Sequence, residues 1–399
     1  MPLQNDIQVI ITDGGIGREA SGKDWYSGLI FQSATVPASF TDNVSQKIYS
    51  IKDAIAKGIT EQDFPVEYYH IEEFFRISEK LNISVWVSIM FSNIAVGTFA
   101  GDEIKIIQDA NNGELRQIGV YLIDPFAVSF VSGADLVAET LNNAGFPTSI
   151  YLVADISDNT TLTDLRTLDK KWVSVLLAQD GNAKGKALFD SKGYSVGVIG
   201  LILGVTAGAS VHERIGYVGK YDISGITEMQ TLALLDDVKV STLTDARIDE
   251  LNNYGYTVAV KRRIAGSYVY TDAVTSSSEL SDFTEQRLNR TIGKAKRLLL
   301  QHLAPMQNAP LYVNPATGQL TEQTIGVFNA ICKTALDTLA SKQEIAFDFK
   351  TGRIPKNSII INPNQNVLAT NKLVINAKIV PVGTAGAIEV NLSFTTATQ

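Results

Sequence analysis

Between residue 25 and about residue 260, short continuous apolar runs alternate with longer stretches of helical periodicity, and this constrains the fold more than any other feature. The runs include SGLIFQ, ISVWVSIMF (Ile83 to Phe91), GVYLID, SIYLVAD and WVSVLLAQD (Trp172 to Asp180). Between them lie helical patterns at SIKDAIAKGI, capped by Ser50, at Val66 to Leu81, at Asp102 to Ala110 and at Gly133 to Ala144. A strand that is apolar on both sides must be covered on both faces. The order strand, helix, strand therefore predicts an α/β fold with a mostly parallel or mixed sheet flanked by helices. A later helix, Thr244 to Tyr254, leads into YTVAVKRR.

Beyond this body the pattern changes. SDFTEQRLNRTIGKAKRLLLQHL, residues 281 to 303, predicts a long helix, and Thr321 to Ser341 a second. Strand-like segments follow: EIAFDF, SIIIN, KLVINAKIV and the terminal IEVNLSF. Both ends look like extended arms. Ile7, Val9 and Ile11 alternate with Asp6, Gln8, Ile10 and Thr12 before the Gly-rich DGGIG, which contains Gly14 and Gly15. Ile388, Val390, Leu392 and Phe394 alternate with Glu389, Asn391, Ser393 and Thr395 after PVGTAG, which contains Gly383 and Gly386. Period-two alternation at a terminus describes a strand with one buried face, so each arm needs a sheet to lie on. The expected organisation is an N-terminal arm at 1–22, an α/β body at 23–278, a region of two long helices plus strands at 279–380, and a C-terminal arm at 381–399.

The chain has 399 residues, 45% of them hydrophobic, which is enough for a sizeable core. Its formal charge of −8 argues against a dedicated nucleic-acid binder. One cysteine, Cys332, rules out an internal disulfide and a cysteine metal cage, and it lies on the apolar side of a predicted helix. The most apolar stretch, Val196 to Val211, is shorter than the roughly 20 residues that span a bilayer and carries four glycines, so a buried close-packed helix or turn is expected. The N-terminus lacks the pattern of a signal peptide.

No catalytic constellation emerges. The histidines, His70, His212 and His302, are far apart, and His70 is expected to be a partly buried helix residue. No G-x-S-x-G elbow is present. GNAKGK (Gly181 to Lys186) is one residue short of a P-loop and lacks the following Ser or Thr. The glycine spacing at Gly197, Gly200 and Gly204 does not match the dinucleotide fingerprint. Asp13 with Asp24, or Asp236 with Asp237, are acid pairs of a kind common on loops. No catalytic, metal or cofactor residues are assigned. On the helix from Ser281, Arg287, Arg290, Lys294 and Arg297 share one face, spaced three, four and three apart. Leu288, Ile292, Ala295, Leu299 and Leu303 fall on another face, expected to be the core side.

The segment Leu251 to Arg290 resembles the tail sheath proteins of contractile phage tails and related injection systems. It carries Leu251, Asn252 and Gly255 at a helix end, then Gly266 and Thr271, then Ser281, Asp282 and Phe283 leading to Arg287 and Arg290. SIKDAIAKGI…HIEEFF near the N-terminus, SVHERIGYVGKYDISG (Ser210 to Gly225) and the extended last strand are similar too. With no inserted outer domain evident, the chain resembles the compact members. The resemblance implies a non-enzymatic structural subunit that polymerises with itself, in six-fold rings stacked helically around an inner tube, and contracts. It implies arms that add strands to neighbours, glycine joints that act as hinges, and a basic stripe that faces the tube. Implied partners are the inner tube protein, baseplate and tail-terminator proteins, with no nucleic acid, no cofactor and no membrane insertion. The implied location is the bacterial cytoplasm during assembly and the tail or particle thereafter. The alternative is an oligomeric α/β enzyme or binding protein, or another tail structural component.

Overall fold

A computed structural model describes residues 23–154, 162–177, 179–180, 184–193, 196–224, 232–233, 239–262, 268–271, 273–370 and 372–386. The chain divides into two compact units, Met1–Leu300 and Gln301–Gln399. The first unit contains, in order, β1 (Ser27–Gln32), β2 (Gln46–Ile48), α1 (Ile51–Ala56), α2 (Pro65–Lys80), β3 (Val87–Ser92), α3 (Asp102–Ala110), β4 (Gln117–Tyr121), α4 (Val128–Asn143) and β5 (Ser149–Val153). It continues with β6 (Val173–Leu176), β7 (Gln179–Asp180), α5 (Lys184–Lys192), α6 (Ile199–Gly208), β8 (Leu232–Ala233), α7 (Asp245–Asn253), β9 (Tyr256–Thr257), β10 (Ala259–Lys261), β11 (Tyr268–Tyr270) and α8 (Gln286–Leu303), whose last turn belongs to the second unit.

Seven strands form one sheet in the order β2-β3-β1-β4-β5-β6-β9. Every neighbouring pair is parallel except β2 with β3. In β1, β3 and β4 every residue is buried, which is why these strands read as largely apolar, with few polar residues. The fold is thus mixed α/β with a mostly parallel sheet flanked by helices.

Local signals set several helix starts. Ser50 caps α1 by accepting from the Asp53 backbone N–H at 3.2 Å, and Thr244 caps α7 by accepting from Arg247 at 3.2 Å. The apolar stretch expected to be a close-packed helix is α6, buried over nearly its whole length. Its glycines let it lie directly on α2. A Cβ on Gly200 would fall 1.9 Å from the His70 carbonyl oxygen, and one on Gly204 would fall 2.8 Å from that of Phe74.

The second unit contains α9 (Glu322–Ser341), β12 (Ile359–Ile360), α10 (Val367–Thr370) and β13 (Asn376–Ala377). Thr321 caps α9 by accepting from Thr324, and α9 buries Phe328, Cys332, Leu336 and Leu339. The expected strands of this region make short pairings. β12 and β13 pair over two residues, and Ile345 bridges Pro381.

Candidate functional site

In an open α/β sheet, ligands bind outside the carboxyl ends of the strands, where the strand order reverses. Here the reversal lies between β1 and β4, because the chain places β3 on one side of β1 and β4 on the other. That crevice is filled by the protein itself. Gln32, at the end of β1, donates to the Asp124 carboxylate and to the Ile94 carbonyl, both at 3.1 Å. Its Oε1 accepts from the Ile123 backbone at 2.8 Å, and Asp124 accepts from Gly97 at 2.8 Å. Both side chains are buried. These bonds tie the ends of β1 and β4 to the segment after β3 across the crevice. Among the described residues, no cluster of three or more His, Cys, Asp or Glu could hold a metal ion, and no helix is long and apolar enough to cross a membrane.

His70 is not partly buried, as its sequence context suggested, but fully so. It packs against Phe31 and Tyr121, with ring centroids 6.0 and 4.8 Å away. Neither ring nitrogen has a hydrogen bond of good geometry. Burial drives its pKa down to about 3, and the backbone at Val196 offsets only part of that. It is a neutral core residue.

The opposite, amino-terminal end of the parallel sheet carries the richest polar cluster, and α8 supplies most of it. Asn289 donates to the carbonyl of Lys171, just before β6. Gly293 packs on Pro147, before β5, where a Cβ would come within 3.1 Å of the ring. Lys294 and Arg297 both hold Asp24, before β1, at 2.5 and 2.7 Å. The helix therefore crosses the strand starts in the order β6, β5, β1. Arg290 caps the carboxyl end of α6, donating to the carbonyls of Thr206 and Ala209 at 2.9 Å and to that of Ser210 at 3.4 Å. Arg287 and Arg214 share Glu285, at 2.5 and 2.6 Å. Burial alone would raise the Asp24 pKa, but Lys294 and Arg297 outweigh it and hold the carboxyl below its usual range.

This overturns the expected orientation of α8. Arg290 and Lys294 are 6% and 8% exposed, and all four stripe cations have partners within the unit, so they do not form a free face for a tube. The expected core side is the more open one. Ile292 is exposed, Leu288, Leu299 and Leu303 are half-buried, and only Ala295 is sealed. The physical reason is that the strand starts and the end of α6 present buried carbonyls and a carboxylate. Long cationic side chains satisfy these and leucines cannot. The periodicity located the two faces; which one turned inward was set by those acceptors.

Of the expected hinge residues, Gly383 and Gly386 are exposed, and a Cβ on Gly383 would meet nothing within 4 Å. Gly383 does not have the positive φ that would require glycine. Gly14 and Gly15, and the arm residues Ile7, Val9, Ile11, Ile388, Val390, Leu392 and Phe394, lie outside the described residues. The segment that leads into the C-terminal arm is described, and it is unusual. From Lys372 to Gly386 most residues are exposed, including Val374 and Val380, while Leu373, Ile375 and Ile379 are only half-buried. The sequence marked KLVINAKIV as strand-like but could not show that it stays largely uncovered in a single chain.

The family model described as DUF2586, N-terminal domain, matches residues 4–269, and that described as DUF2586, C-terminal domain, matches residues 282–399. No curated protein sequence matches the chain. Among solved structures, a chain of the anti-feeding prophage baseplate is similar, with a TM-score of 0.60 at 12% identity, covering 99% of this chain and 100% of that one. A chain of the sheath complex of the PVC extracellular contractile injection system, in its contracted state, gives 0.58 at 12% identity, with 99% of each chain covered. A sheath tail protein of Listeria innocua gives 0.55 at 10% identity, with 92% of this chain and 94% of that one covered. The fold is that of contractile sheath proteins.

Proposed function

The chain belongs to the DUF2586 family, and from its sheath-protein fold and its uncovered C-terminal strand segment we propose that it is a sheath subunit of a contractile tail or injection system. It polymerises helically around an inner tube and contracts. Its partners are further copies of itself, the tube protein, and the baseplate and terminator proteins at the two ends. The particle assembles in the bacterial cytoplasm.

One observation carries the reading. The segment 372–386 runs toward the C-terminus with apolar side chains exposed, and β13 within it pairs over only two residues. A strand so placed is a template for further strands. Pairing with the arms of neighbouring copies gives affinity through main-chain hydrogen bonds and register through alternate side chains. In this reading the arms, residues 1–22 and 381–399, leave their own subunit, and the glycines at 14, 15, 383 and 386 let the connections bend while the bodies rotate. The fit with sheath chains over almost the full length supports the same role by analogy.

The test is negative-stain microscopy of the purified full-length chain beside a variant lacking Ile388 to Gln399. The full chain should build tubes or stacked rings. The truncated chain should remain a folded subunit, with its helical circular dichroism intact, and build none. Discrete small oligomers from the full chain, or normal tubes from the truncated one, would overturn the proposal.

A further inference from the structure

Between α2 and α5, in the first compact unit, lies a cavity of about 170 Å³. Pro65 and the rings of Tyr68 and Tyr69 line it from α2, and Ala187 and Leu188 from α5. An apolar cavity of roughly 150 Å³ takes a benzene ring, so this space matches one aromatic side chain. Glu61 and Lys184 complete the lining. Lys184 holds Glu61 at 3.1 Å and Glu72 at 2.6 Å, so the charged side of the cavity has two carboxylates to one ammonium.

The second unit carries a side chain of matching size. Phe349 is 91% exposed, with Phe347 beside it at a ring-centroid distance of 5.0 Å. It opens a tight turn across which the Asp348 N–H donates to the Arg353 carbonyl at 2.8 Å, and the Lys350 N–H donates to the Asp348 carboxylate at 2.8 Å. Gly352 completes the turn at a φ of +65°. Lys350 and Arg353 stand exposed on either side of the ring. Among the described residues one large apolar side chain is more exposed, Leu280 at 97%, but Glu279 and Asp282 flank it and would meet the carboxylates of the cavity with the same sign. We propose that Phe349 of one copy inserts into the α2–α5 cavity of another, with Lys350 and Arg353 set toward Glu61 and Glu72. This rests on the sheath reading and names a contact through which such a polymer propagates. Knob and cavity are different surfaces, so the contact is heterologous: it repeats from copy to copy and does not close on a symmetric pair. It adds to arm pairing, which uses neither element.

The experiment joins photo-crosslinking to pelleting, both on the full-length chain. A photoreactive diazirine analogue of phenylalanine at position 349 should link between copies to residues 61–69 or 184–188, which hold the cavity wall. Phe349→Ser removes the knob, and Ala187→Trp fills the cavity from its exposed wall. Each should leave the melting midpoint of the subunit unchanged. Each should raise the lowest concentration that yields polymers by roughly tenfold or more, the affinity worth of one fully buried phenylalanine. Polymers from either variant at the unmodified concentration, or links between copies that fall only elsewhere, overturn this contact and leave the sheath reading standing. Links to the cavity in a protein that builds only small oligomers support the contact and overturn the sheath reading. The absence of any link between copies refutes the contact.

Discussion

Replacing Arg290 tests whether α8 turns its charges inward. In Arg290→Met the stem remains and the guanidinium is lost. Two bonds of 2.9 Å and one of 3.4 Å disappear. Thr206 O keeps a second donor, the Ala209 N–H at 3.2 Å, so its loss is partial. Ala209 O is left without this donor, at a cost of about 1–3 kcal/mol for a buried acceptor. Loss of a partly buried cation from a helix carboxyl end removes up to about 2 kcal/mol more. The relief of no longer burying a guanidinium offsets some of this, giving a net destabilisation of about 2–4 kcal/mol. Arg290→Glu should be worse, because it sets a carboxylate against three carbonyl oxygens. All three tryptophans, Trp25, Trp86 and Trp172, lie in the first compact unit. Urea unfolding followed by tryptophan fluorescence therefore reports that unit. A solvated helix face would tolerate either change within about 0.5 kcal/mol. If Arg290→Glu folds and unfolds at the unmodified urea midpoint, the inward orientation of the helix is wrong.

Three further outcomes follow from the packing. His70 has a folded pKa of about 3 against an unfolded 6.5, so the unfolded chain binds the extra proton and stability falls as pH drops from 6.5 toward 3. The slope is ~1.4 kcal/mol per pH unit, or about 2 kcal/mol between pH 7.5 and pH 5, and His70→Met should remove most of it; an unchanged pH profile in urea titrations of that variant would contradict the burial argument. Gly200→Ala would force a methyl to within 1.9 Å of the His70 carbonyl oxygen, so it should lower the first unit's stability by about 3 kcal/mol or more, whereas Gly326→Ala on α9, with nothing within 4 Å, should raise helix stability by roughly 0.5–1 kcal/mol by circular dichroism; similar effects from both would sink the close-packing account. Gly383→Pro should leave subunit melting unchanged and impair polymer formation in pelleting assays; a lower melting point with normal polymers would rule out a hinge at that joint.

The parallel sheet was legible because its strands are buried on both faces, and SGLIFQ matches β1 residue for residue. The cap at Ser50 was legible because it depends on a bond to a backbone N–H three residues on, and the helices expected from Thr244 and Thr321 begin one residue later, with those threonines as caps. Strand ends were read less well. The run from Ile83 pairs in the sheet only from Val87, and the strand expected at Gly119 begins at Gln117, where a polar side chain is buried against Ser27. The helix expected from Ser281 begins at Gln286, since Glu285 bridges Val274 instead. The orientation of α8 was not legible at all. Its acceptors come from residues 24, 171, 206 and 209, and no local pattern in 281–303 encodes them.

The closed ends of the sheet bear on where function can reside. At the carboxyl ends, Gln32 and Asp124 fill the place where α/β proteins bind ligands, and at the amino ends α8 and its cations lock the strand starts together. Apolar side chains are also exposed: Ile292 and Leu300 on α8, and, in the second unit, Val374 and Val380 on the segment approaching the C-terminus. In the proposed sheath, individually weak contacts at such surfaces are remade while the bodies keep their internal bonds, so a change of lattice can proceed by rigid rotation with no chemistry inside the subunit.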